Sequence, residues 1–243
     1  VDTKRNMFTF QRLLPNILTL GALCSGLTGL RFAIEGRFEH AVLAVVFAAL
    51  LDNLDGRVAR LVGANSGFGA ELDSLSDFVS FGAVPAIMLY LWNLNELGRV
   101  GWVIALIYCI CGGLRLARFN MQGHGSSATP SAFFRGIPIP AAAGFIMFPM
   151  MLSFAFDTDI TKTPYMVVPL MLLAAGLMVS SIHSYSFKRM RIPAKLVFPI
   201  LLIVGIFAAM VSASHWFGLI GIVGLYAISI PFAMRAAKKA DSS

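Results

Sequence analysis

The sequence predicts an all-α integral membrane protein, a polytopic helix bundle, and three observations carry that expectation. The 243 residues are 58% hydrophobic with a mean hydropathy of +0.79, and only 13% are charged, against roughly 25% in soluble domains. Apolar stretches near the ~20 residues that cross a bilayer recur along the whole length. Lys and Arg also divide unevenly between the two sides that such crossings define, as cytoplasmic loops with excess cations require.

Eight crossings are expected, at 13–34, 40–63, 71–93, 100–119, 138–157, 164–186, 194–213 and 215–235. Ahead of them, residues 1–12 set Lys4, Arg5 and Arg12 beside Met7, Phe8 and Phe10, which suits a short amphipathic helix at the membrane surface. Pro15 then suits the first turn of a helix. The first crossing does not read as a cleavable leader, because it contains Pro15 and Asn16 and lacks a cleavage site of small residues. With the N-terminus inside, 15 of the 19 cations fall on the cytoplasmic side, and only Arg31, Arg37, Arg99 and Lys162 fall opposite. Both termini are therefore expected in the cytoplasm, with the chain in a bacterial-type inner membrane. The net charge of +7 follows from this topology and from attraction to anionic membrane lipids. No nucleic-acid motif competes with that reading.

No internal repeat or domain-sized soluble insertion interrupts the pattern, so residues 1–243 read as a single membrane domain. The one long polar connection, 121–135, is either a solvated connector or a gate over a cytoplasmic site. Cys24, Cys109 and Cys111 lie in apolar segments and have no ligand spacing, so no role is expected of them. His124, His183 and His215 are dispersed and read as structural rather than nucleophilic.

Five of the twelve acidic residues (Asp52, Asp55, Glu71, Asp73 and Asp77) lie between positions 52 and 77. Each ionisable group in a membrane segment costs about 2.5–3.5 kcal/mol by insertion scales unless it faces a partner or water. Asp52 and Asp55 are spaced i,i+3, and Asp73 and Asp77 i,i+4, so each pair shares a helix face. The second crossing runs inward and the third runs back, which puts both pairs near the cytoplasmic ends. Four carboxylates at one depth repel one another unless cations or protons neutralise them. Mg²⁺ or Mn²⁺, hard ions with oxygen ligands, would do so and would also bind phosphate oxygens. Gly56 and Gly69 would admit a bulky ligand, and Arg60 offers a charge-assisted fork to phosphate. The same three residues also suit helix packing and a snorkelling arginine.

The full stretch, Asp52-x2-Asp55-Gly56-x2-Ala59-Arg60-x8-Gly69-x3-Asp73-x3-Asp77, resembles the signature of the CDP-alcohol phosphatidyltransferase family at all eight fixed positions. The resemblance implies a six-helix core with about two further transmembrane helices, a homodimer, and a polar cavity open to the cytoplasm. It implies that Asp52, Asp55, Asp73 and Asp77 hold two Mg²⁺ or Mn²⁺ ions and that Asp77 is the catalytic base. Gly56, Ala59, Arg60 and Gly69, together with Asp52, would line the CDP-diacylglycerol pocket. Asn16 and Thr19, in Pro15-Asn16-x2-Thr19, would stand near the nucleotide.

Residues 114–120, 136–142 and 184–188 further resemble the branch of the family that uses L-serine as acceptor. Serine brings a carboxylate, so its pocket wants a cation; Arg115, Arg118, Arg135 and the neighbouring Asn120 border one cytoplasmic cavity in this topology. These arginines also satisfy the charge rule at the membrane surface. The expected reaction is direct transfer of the phosphatidyl group from CDP-diacylglycerol to the serine hydroxyl, releasing CMP. Glycerol 3-phosphate, inositol phosphate or choline would be the alternative acceptors. A cation or proton transporter is the remote alternative, disfavoured because both carboxylate pairs lie at the cytoplasmic ends rather than the midplane.

Overall fold

The structure, a computed structural model, describes residues 2–63, 66–123, 133–158, 160–180, 183–185 and 215–240. The crossing expected at 194–213 lies outside the described residues, as do His124 and most of the 121–135 connection. A chain this apolar must satisfy its backbone polar groups internally, and helices do so within each segment. Eight α-helices are described: α1 Asp2–Ile34, α2 Phe38–Val62, α3 Gly67–Asp77, α4 Val84–Trp92, α5 Arg99–Gly123, α6 Ile139–Phe156, α7 Pro164–Val179 and α8 His215–Ala240. Among the described residues four stretches are long and apolar enough to cross a membrane: Leu13–Ile34, Gly67–Trp92, Arg99–Met121 and Ile139–Phe156. The chain is thus an all-α polytopic membrane protein. Helix α2, at 25 residues, has the length but carries Asp52, Asp55, Arg57 and Arg60 in its second half, so its charge content breaks the apolar pattern.

Three boundaries differ from the sequence reading. Helix α1 is continuous from Asp2, which puts Pro15 inside it rather than in its first turn. The third crossing begins at Gly67 and changes winding midway: Phe78–Ala83 form a π-helical turn between α3 and α4. The sixth stops at Val179 instead of continuing to 186, and His183–Tyr185 pair antiparallel with Phe133–Arg135. Gly136 supports that short pairing. Its φ is +78°, and a Cβ there would stand 2.7 Å from the Met178 carbonyl oxygen, so glycine alone fits between strand and helix end.

The buried core lies along α4, α6 and α7, where Met88, Met147, Met150, Met171 and Met178 are all but inaccessible. Flexible thioethers fill the irregular gaps between these Pro-containing helices. Helices α1 and α2 form an antiparallel hairpin through Gly36, and α1 also packs against α3 and the π turn. Helix α1 is therefore the common seat of both acidic helices.

Candidate active site

Helix α2 ends at Gly63, whose left-handed backbone (φ +63°) lets its N–H cap the Ala59 carbonyl. Helix α3 starts at Ser66, whose hydroxyl accepts from the Gly69 N–H at 3.0 Å. These two caps set the register of the carboxylates. Asp52 stands ten residues before the end of α2 and Asp77 ten after the start of α3; Asp55 stands seven before and Asp73 six after. At about 1.5 Å per residue, the four groups fall at two matched depths.

The side chains meet accordingly. One carboxylate oxygen from each of Asp52, Asp55 and Asp73 lies within 4.8 Å of the others. Asp77 meets Asp52 in hydrogen-bond contact, a pairing that requires a shared proton or a cation between two carboxyl groups. The Oδ1 of Asp77 is buried without a hydrogen-bond partner among the described residues. An all-oxygen, tri-carboxylate set with a fourth carboxylate beside it fits a hard divalent ion.

Helix α1 fixes this set from behind. The Thr19 hydroxyl lies 2.6 Å from Asp55 Oδ2 and 3.0 Å from the Pro15 carbonyl oxygen, and both Thr19 and Asp55 are buried. The Ser76 hydroxyl donates to the Thr19 carbonyl at 3.2 Å, and that of Ser80 to the Ala22 carbonyl at 3.4 Å. Ser76 and Ser80 went unread in the sequence because small hydroxyl residues in an apolar run look like ordinary packing.

A cavity of about 300 Å³ opens beside the aspartates. Its walls bring together Asn16 and Thr19 from α1, Gly56, Ala59 and Arg60 from α2, and Gly69 and Asp73 from α3, with Ser66 and Pro15 at the edge. A Cβ at Gly56 would meet nothing within 4 Å, so the backbone there faces open space; at Gly69 it would stand 3.1 Å from Asn16 Oδ1. Of the residues expected around the nucleotide, Asn16, Thr19, Gly56, Ala59, Arg60 and Gly69 thus share one cavity with Asp55 and Asp73, whereas Asp52 meets those two carboxylates without lining it.

The residues expected around the acceptor separate. Arg115 is half-buried, within electrostatic range of Asp77 and of Tyr226 on α8. Its Nε is buried with no hydrogen-bond partner among the described residues. Arg118 instead turns to α7, where its Nη1 donates to the Val179 carbonyl at 2.9 Å. Asn120 joins α5 to α3: its Oδ1 accepts from Ser74 at 3.1 Å and its Nδ2 donates to Glu71 at 3.5 Å. Arg135 lies on the short strand that ends the polar connection. The π turn is held from α5, where Tyr108 donates to the Phe81 carbonyl at 3.2 Å and Cys109 to that of Gly82 at 3.5 Å. Such turns recur at functional sites because they redirect one helix face, and this one begins directly after Asp77.

The CDP-alcohol phosphatidyltransferase family model matches residues 12–182. The chain is similar to the CDP-diacylglycerol–serine O-phosphatidyltransferase of Mycobacterium bovis, at 36% identity over 93% of this chain and 79% of the relative. The enzyme of that name from Helicobacter pylori is 35% identical over 89% of this chain and 88% of its own. The one from Bacillus subtilis is 35% identical over 72% and 92%.

Proposed function

The chain belongs to the CDP-alcohol phosphatidyltransferase family, and from that premise we propose that it transfers the phosphatidyl group of CDP-diacylglycerol to L-serine, yielding phosphatidylserine and CMP. The observation that carries the reading is the convergence of Asp52, Asp55 and Asp73 within 4.8 Å beside a cavity walled by Gly56, Ala59 and Arg60. The named activity of the relatives supplies serine as acceptor.

Asp52, Asp55, Asp73 and Asp77 would hold Mg²⁺ or Mn²⁺, two ions by the family pattern. When bound, the ions neutralise and orient the pyrophosphate and the departing CMP. The nucleotide enters over Gly56, where nothing obstructs the backbone, and Arg60 pairs with its phosphates. Arg115 holds the serine carboxylate close to Asp77, which accepts the proton of the serine hydroxyl. The serine oxygen then bonds to the lipid-bearing phosphorus as the bond from that phosphorus to the CMP oxygen breaks. No covalent enzyme intermediate is required. The Asp77 Oδ1, with no hydrogen-bond partner among the described residues, is the acceptor that this role needs.

We place the site and both termini on the cytoplasmic face from the 15-to-4 division of cations, and the assembly as a homodimer from the family resemblance. The test is CMP release from CDP-diacylglycerol by the purified chain, supplied in turn with L-serine, glycerol 3-phosphate, inositol phosphate and choline. Serine should support turnover at least about a hundredfold above the others, since a site built for its charged groups rejects an acceptor lacking them. Equal or faster turnover with any other acceptor sinks the assignment.

A further inference from the structure

A second cavity, of about 400 Å³, lies at the end of the bundle away from the aspartates, between the α1–α2 turn, the ends of α4 and α6, and the short helix Ile160–Lys162. Gly36 at its edge stands seventeen residues along from Thr19, about 25 Å by helical rise. The catalytic reading makes no use of it.

Its floor is aromatic, formed by Phe38, Trp92 and Phe154, and Phe154 rests against Trp216 of α8 with ring centroids 5.0 Å apart. Its rim is charged, with Arg37, Lys162 and Glu39. Two contacts build this rim rather than leave it to chance. Asn93, fully buried, donates its Nδ2 to the Lys162 carbonyl at 3.2 Å, which ties the residue bearing the ammonium to the end of α4. The Arg37 guanidinium sits 4.8 Å over the Phe32 ring. Its nearest carboxylate oxygen among the described residues, on Glu35, is 3.8 Å away, beyond the about 2.7–2.9 Å of a charge-assisted hydrogen bond. Glu35 is instead closed on Arg31 at 2.9 Å. Arg37 is thus oriented while its guanidinium closes no hydrogen bond on a carboxylate among the described residues. Two of the four cations that the sequence assigns to this side stand in this one cavity.

Cations at a rim ask for an anion, an aromatic floor at the end of a bundle suits the interfacial part of a lipid, and Glu39 asks for a positive group. We infer that this cavity binds the head group of an aminophospholipid, with its phosphate on Arg37 and Lys162, its ammonium on Glu39 and its glycerol region over Trp92 and Phe154. Free phosphate would leave the floor unmatched. A head group without an ammonium would set its negative charge against Glu39 with nothing to answer that carboxylate.

Native mass spectrometry of the delipidated full chain tests this, with phosphatidylethanolamine, phosphatidylglycerol or soluble O-phosphoethanolamine added separately. Phosphatidylethanolamine should be retained as one copy that saturating CDP-diacylglycerol does not displace. Arg37→Gln with Lys162→Gln should lower that retention about tenfold, the worth of one charge-assisted hydrogen bond, and Lys162→Gln alone should lower it in part. Glu39→Gln should erase the preference over phosphatidylglycerol, while Arg99→Gln, which loses the same charge as Lys162→Gln but lies outside the cavity, should change nothing. Unaltered CMP release by the Arg37 and Lys162 variants reports that they are folded. The inference fails if phosphatidylglycerol is retained equally by the unmodified chain, if the double variant retains the lipid unchanged, or if O-phosphoethanolamine binds as tightly as the lipid.

Discussion

A half-buried guanidinium within electrostatic range of a half-buried carboxylate is costlier to alter than an exposed one, and Arg115 stands to Asp77 in that way while Arg118 is engaged by the Val179 carbonyl. If Arg115 grips the serine carboxylate, Arg115→Lys keeps the charge but loses the planar fork. Steady-state kinetics in both substrates should then show the KM for serine raised about tenfold, one charge-assisted hydrogen bond, with the KM for CDP-diacylglycerol little changed. Arg118→Lys should leave both constants within about twofold, as an exposed surface substitution does; the reverse pattern would move the acceptor pocket to Arg118. Sequence spacing could not choose between them, because residues three apart on a helix differ by only about 60° in direction. The aspartates were legible for the complementary reason: i,i+3 and i,i+4 pairs share a face wherever that face points, and charge in an apolar run stands out. Thr19 carries a second test at this scale. Partners that orient ligating groups typically cost 10- to 100-fold in metal affinity or activity when removed. Thr19→Val keeps the shape but removes the 2.6 Å contact with Asp55, so the Mn²⁺ concentration for half-maximal activity should rise by about that factor, and chelation should abolish activity in both proteins. An unchanged metal titration would show that Thr19 only packs.

Among the elements, α1 acts as a spacer against which α2 and α3 are set, and the closeness of its seating is measurable at Gly26. A Cβ there would stand 2.6 Å from the Ser80 hydroxyl oxygen, 2.8 Å from its Cβ and 3.0 Å from its Cα in the π turn. Since a backbone atom is among those met, the helices must part. Overpacking of this kind costs about 1–3 kcal/mol, so Gly26→Ala should lower the melting temperature in detergent. It should also lower turnover, because α1 carries Asn16 and Thr19 into the site. Gly176→Ala in α7 is the control: nothing lies within 4 Å of a Cβ there, and helix propensity alone should leave stability equal or slightly raised. A melting temperature unchanged by Gly26→Ala would show that α1 is not tightly seated. The π turn that makes this contact left no trace in hydropathy, because winding by i,i+5 bonds changes the direction of side chains and not their apolar character. The end of α7 at Val179 was likewise hidden: the polar 180–186 stretch was joined to the crossing by its flanking hydrophobic residues, while its backbone partner, the strand at Phe133–Arg135, lies some fifty residues earlier.

At the scale of the whole molecule, the two ends of the bundle differ in charge and are joined by helices that run from one to the other. Helix α5 begins at Arg99, beside the 3₁₀ turn Leu94–Leu97, and its last turns reach α3, where Asn120 meets Ser74 and Glu71. Glu96 therefore lies at the far end and residue 126 follows the end that holds the site. The topology proposed from the 15-to-4 cation division would put the site end in the cytoplasm, where it could meet water-soluble serine and release CMP. In a background with Cys24, Cys109 and Cys111 replaced, Glu96→Cys should react with a membrane-impermeant maleimide added to intact cells. Ser126→Cys should react only after the membrane is opened. Labelling of Ser126→Cys alone from outside would invert the protein and leave its charge asymmetry without a cause. Labelling of both from one side would mean that α5 does not cross the membrane, and the bundle would then have to seat its aspartates against the bilayer in some other way.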